Sequence, residues 1–142
     1  SKRGAEYKKY IETTSALLPI QFSKLFVTLF LMVALILLDG LWLGLAMKNF
    51  YALRLGTLLR DNWLEVVWAI LFVYFFLAVG VQFFALRNSK LRSEAAFKGA
   101  VLGLCVYGVY DFTNLALLKN WSSEVAFADV VWGTFLCSMA SA

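Results

Sequence analysis

The chain of 142 residues contains no histidine, one proline, two cysteines and only 15% charged residues. The missing imidazole removes the commonest general base, the proximal haem ligand and the nucleophilic triads that depend on it. A single proline, Pro19, leaves the rest of the chain free of the residue that breaks helices. Cys105 and Cys137 both sit inside apolar runs, where a thiol packs as a small hydrophobe and neither a disulfide framework nor a metal-ligand spacing is present. Low charge combined with 62% hydrophobic residues and a mean hydropathy of +0.77 excludes an ordinary water-soluble enzyme and points to a bilayer as solvent.

Four apolar runs are present, at residues 25–47, 66–86, 99–118 and 125–142, separated by charged breaks. A helix rises about 1.5 Å per residue and the hydrocarbon layer is about 30 Å thick, so each run reaches or nearly reaches the spanning length. The expected fold is therefore all-α: an integral membrane bundle of four transmembrane helices over residues 25–142, preceded by a basic arm at residues 1–24 that is expected to lie along the membrane surface. The basic residues set a direction. Lys2, Arg3, Lys8, Lys9 and Lys24 precede the first run, and Arg87, Lys90, Arg92 and Lys98 fall between the second and third. The other side holds Lys48, Arg54, Arg60 and Lys119. The positive-inside rule then places both termini and the middle loop on the cytoplasmic, stromal or matrix face. The net charge of +4 is accounted for by these flanks, and no nucleic-acid partner is implied. Trp63 and Trp121 stand at the opposite ends of the spans, as interfacial anchors do.

Three carboxylates interrupt the runs: Asp39, Asp111 and Asp129. Each costs about 2.5 to 3.5 kcal/mol near a helix centre, so they are expected to face inward and to have partners. Counted from the span ends, all three lie at a similar depth in the outer half. Gly99, Gly103, Tyr107 and Asp111 follow one another at i+4, with Asn114 one turn on, and Asp129, Gly133, Cys137 and Ser141 repeat that spacing in the last run. Gly40 and Gly44 stand beside Asp39. Small residues on one face let helices approach closely in lipid, so the first, third and fourth spans are expected to form the tight core. The second run has an aromatic face of Trp68, Phe72, Phe75, Val79 and Phe83 and a separate face of Tyr74, Ala78 and Gln82. The aromatic face is read either as lipid-facing surface or as a docking face for a membrane subunit, a pigment or a lipid.

At Asp39-Gly-Leu-Trp-Leu-Gly44, at Phe50-Tyr51, over Tyr107-Gly-Val-Tyr-Asp-Phe-Thr-Asn-Leu-Ala116 and at Asp129-Val-Val-Trp-Gly-Thr134, the chain resembles a mainly bacterial membrane-protein family catalogued as domain of unknown function 2177. The resemblance runs from about Leu25 to the end and implies four spans but no activity. The basic arm and Ser122, where the family pattern has proline, depart from it.

Two functions are compatible with these residues. The first is a non-enzymatic accessory or structural subunit of a larger membrane complex. Photosynthetic or respiratory assemblies of an organelle inner or thylakoid membrane are the natural hosts, with chlorophyll held through side-chain oxygen as a conceivable cofactor and lipid as the surroundings. The second is a small ion- or proton-coupled transporter, in a bacterial inner membrane or an organelle, using Asp39, Asp111, Asn114 and Asp129. A lipid enzyme with an aspartate base ranks below both, since neither a catalytic constellation nor a metal-ligand set is legible.

Overall fold

The computed structural model describes the backbone of all residues except Ser1 and Asn88, and the side chains of Glu6 and of residues 23–142 other than Trp63 and Asn88. The expectations of a surface-lying arm and of a Trp63 anchor fall on side chains outside those described.

The described chain is helical apart from short connections, with no strand among the described residues. Helix α1 (Lys2–Leu41) continues through a π-helical turn at Trp42–Ala46 into α2 (Lys48–Leu55), and α3 (Val67–Gly80) continues through a second π-helical stretch at Val81–Leu86. After a short loop come α4 (Arg92–Leu117) and α5 (Ser123–Ser141). The ends have local causes. Gly56, at φ 49°, takes the left-handed conformation that closes α2, where a side chain would be strained. Glu94 reaches back to accept from the Lys90 backbone N–H at 3.0 Å as α4 begins, and the Ser122 hydroxyl accepts from the Val125 N–H at 3.4 Å to start α5.

Among the described residues, three stretches are long and apolar enough to cross a membrane: Ser23–Ala46, Leu64–Leu86 and Arg92–Leu117. The expected fourth, on α5, has the length at 19 residues and carries Glu124 and Asp129, and it is not among these three.

Packing follows the helical period. On α1, Thr28, Leu31, Leu35 and Asp39 recur at three or four residues and are all buried. On α3 the buried line is Tyr74, Leu77 and Ala78, continued by Val81 and Ala85. These two lines meet Leu136 and Cys137 of α5 in the main core. A smaller cluster of Tyr51, Leu55 and Val125, bordered by Trp42, Met47, Phe50 and Trp121, closes one end.

The second span thus enters the core, which corrects the expectation of a core built from the first, third and fourth spans alone. Its Tyr74-Ala78-Gln82 face is turned inward, and packing of α1 against α3 is more extensive than that of α1 against α5. The most intimate contact is between α4 and α5. There a Cβ on Gly99 would run into the Cys137 carbonyl and the Ser141 side chain, one on Gly103 into the Gly133 backbone, and one on Gly133 into the Tyr107 ring. Close backbone approach of this kind lets dispersion and weak polar contacts hold helices together where there is no hydrophobic drive.

Gly40 and Gly44 do not share this role. Nothing lies within 4 Å of where their Cβ atoms would stand, because Gly40 is about 100° around the helix from buried Asp39 and so faces away from the bundle.

Candidate functional site

The carboxylates inside the bundle form two unlike sets. In the first, Asp39 is 7% exposed and accepts two hydrogen bonds, from the Tyr74 hydroxyl of α3 and the Trp132 indole N–H of α5, each at 2.8 Å. One carboxylate thereby ties three helices. The Trp132 ring lies flat on Trp42, with centroids 4.3 Å apart and planes 4° from parallel. Trp42 sits at the start of the π-helical turn, where the Met47 N–H reaches back five residues to the Trp42 carbonyl at 2.8 Å. Its indole N–H donates to the Tyr51 hydroxyl at 3.3 Å, and Tyr51 in turn donates to the Asp129 carboxylate. Tyr74, Asp39, Trp132, Trp42, Tyr51 and Asp129 therefore make one continuous chain of hydrogen bonds and ring stacking across α1, α2, α3 and α5. Burial, followed by the bond to Asp129, pushes the Tyr51 phenol above its ordinary value, so Tyr51 remains a donor at physiological pH.

Tyr51→Phe removes the donor to Asp129 and the acceptor for Trp42 while keeping the ring. A loss of about 1–2 kcal/mol is expected, read as a lower melting temperature in detergent; an unchanged melting temperature would count against this chain of bonds.

The second set is Asp111. Its residue is 0% exposed, and neither carboxylate oxygen has a hydrogen-bond partner among the described residues. The indole N–H of Trp121 is likewise buried and unpartnered; it approaches Asp111 without closing a bond of good geometry. Asp129 is the other charged group close enough to act on Asp111.

The family described as "Predicted membrane protein (DUF2177)" matches residues 23–142. The chain belongs to this family. No curated protein and no solved structure matches it. As a DUF2177 member it is a membrane protein, in keeping with its long apolar helices.

Within this DUF2177 chain, the residues singled out by sequence are distributed as follows. Asp39 and Asp129 belong to the hydrogen-bonded chain, whereas Asp111 stands apart on α4. Tyr107 packs its ring on Gly133 and borders the main core. Asn114 stands half-buried one turn on from Asp111, on the flank of α4 that carries exposed Tyr110, and joins neither set. Trp68, Phe72, Phe75 and Phe83 are all exposed, Trp68 by 61% and Phe72 by 54%.

Sequence patterning does not mark Tyr51, Tyr74 or Trp121 as partners of the aspartates. Tyr74 carried a signal, since it shares the second span's polar face with Gln82. Tyr51 lies in a connecting segment, and only the return of α2 onto α5 brings it to Asp129. Among the described residues no three His, Cys, Asp or Glu side chains converge as a metal site.

Proposed function

We propose that this chain is a non-enzymatic, four-span membrane protein that binds and passes a proton or small cation at Asp111, with both termini and the 87–98 loop on the cytoplasmic, stromal or matrix face. One observation carries the reading: a carboxylate fully enclosed by protein with both oxygens unpartnered. Buried polar groups are almost always hydrogen-bonded, and an ionisable group in a membrane span that lacks a partner is where a transported ion or proton finds one. Asp39 supplies the contrast within the same molecule. Its two donors satisfy it, and its work is to hold helices in register. Asp129, in the same layer, adds negative potential at Asp111, which favours a cation as the missing partner. Four helices leave little room for a pathway inside one protomer, so the conducting unit is an oligomer.

The test is flux into liposomes loaded with a pH-sensitive or cation-sensitive dye. Asp111→Asn is expected to abolish flux while leaving the melting temperature equal or higher, because the replaced carboxylate makes no bond whose loss would cost stability. Flux in Asp111→Asn equal to wild type, or no flux in wild type, would overturn the reading.

The exposed aromatic face of α3 supports a second reading as an accessory subunit of a larger complex, in an organelle or bacterial inner membrane. Trp68, Phe72, Phe75 and Phe76 stack edge-to-face or in parallel along that face and are all exposed. The basic arm lies before the family match at residue 23 and gives this chain a segment of its own for such a partner. Recovery from native membranes at fixed stoichiometry within a large complex would favour it.

A further inference from the structure

A second site lies at the opposite end of the spans from the aspartates. A groove of about 330 Å³ opens between the beginning of the first span and the π-helical end of the second, lined by Lys24, Val27, Gln82, Phe83, Leu86 and Arg87. Its two charges are both positive, and among the described residues neither Lys24 nor Arg87 takes part in an ion pair. Its floor is apolar.

The groove is held open by specific bonds. The Gln82 side chain donates to the Lys24 carbonyl at 2.8 Å and accepts from the Thr28 hydroxyl at 2.6 Å, pinning the two helices at this level. The π-helical stretch closes with the Arg87 N–H on the Gln82 carbonyl at 3.0 Å. The Arg87 guanidinium is then carried over the Phe83 ring, 5.7 Å from its centroid. A cation resting on an aromatic face is kept at the groove instead of swinging into water.

Depth identifies the ligand. Lys24 directly precedes the apolar run that begins at Leu25, and Arg87 follows directly on Leu86, the last residue of the second span. Both charges therefore stand at headgroup level on one side, while Val27, Phe83 and Leu86 lie at or below it among the acyl chains. We propose that this groove binds an anionic phospholipid, its phosphodiester held between Lys24 and Arg87 and its glycerol and first acyl carbons on Val27, Phe83 and Leu86. Basic pockets between spans at the membrane surface are suited to such headgroups, and a soluble phosphate would leave the apolar floor unused. The proposal requires the spans but not the ion-binding reading of Asp111.

Native mass spectrometry of the full chain, released from mixed phosphatidylglycerol and phosphatidylcholine micelles, tests it. Phosphatidylglycerol is expected to be retained about tenfold or more over phosphatidylcholine. Lys24→Gln with Arg87→Gln is expected to erase that preference, Lys24→Arg with Arg87→Lys to keep it, and Arg54→Gln with Arg60→Gln, at the other end of the bundle, to leave it intact. Three results would overturn the proposal: equal retention of the two lipids by wild type, an unchanged preference in the Gln pair, or displacement of phosphatidylglycerol by excess inorganic phosphate. The first and third are read on the wild-type chain, so they stand even where the Gln pair fails to fold.

Discussion

Gly103→Val is expected to cost about 3 kcal/mol and to lower the melting temperature in detergent by about 10 °C. The reason is that a side chain at this position meets backbone, namely the Gly133 carbonyl group and the Thr134 Cα, and backbone has no rotamer with which to give way. The α4–α5 seam must separate along its length to admit the isopropyl group, since Gly99 and Gly133 hold equally close approaches on either side of it. Gly108→Ala is the matched control. It lies on the same helix, nothing stands within 4 Å of its Cβ position, and exchanging glycine for alanine in a helix interior is neutral or mildly stabilising. Equal melting temperatures for Gly103→Val and wild type would show that the seam is not packed as described.

Asp39→Leu is expected to destabilise by about 2–6 kcal/mol, because it leaves the Tyr74 hydroxyl and the Trp132 indole N–H buried without an acceptor, at about 1–3 kcal/mol each. Asp39→Asn retains one carbonyl acceptor and is expected to lose about half as much. The double variant Asp39→Leu with Tyr74→Phe separates mechanisms. If the penalty comes from stranded donors, removing the hydroxyl returns about 1–2 kcal/mol, and the two substitutions are strongly non-additive. Simple additivity in thermal melts would mean that Asp39 acts through shape or charge and not as an acceptor. The contrast with Asp111→Asn, expected to leave stability equal or higher, follows from the same rule applied to a carboxylate on which no donor closes.

Much of this was legible in sequence for identifiable reasons. Spacing of four residues in Gly99, Gly103, Tyr107 and Asp111, and again in Asp129, Gly133, Cys137 and Ser141, puts each set on one helix face whatever the helix packs against. That these faces meet each other follows from the short connection between α4 and α5. The division of the second span into an aromatic face and a Tyr74-Ala78-Gln82 face had the same periodic origin. Gly40 and Gly44 show the limit: a glycine next to a buried aspartate is on a different side of the helix from it, so proximity in sequence misleads where periodicity does not.

By itself the sequence determined the solvent, the helices and the positions of the costly polar groups, because the free energy of placing each residue in hydrocarbon is local and additive along a span. Which acid is satisfied is not local. Asp39 and Asp111 occupy equivalent settings in their own helices, yet two donors from α3 and α5 converge on Asp39 and none closes on Asp111. Only the tertiary structure decided that difference, because hydrogen bonding depends on distances and angles between helices that their separate sequences do not set.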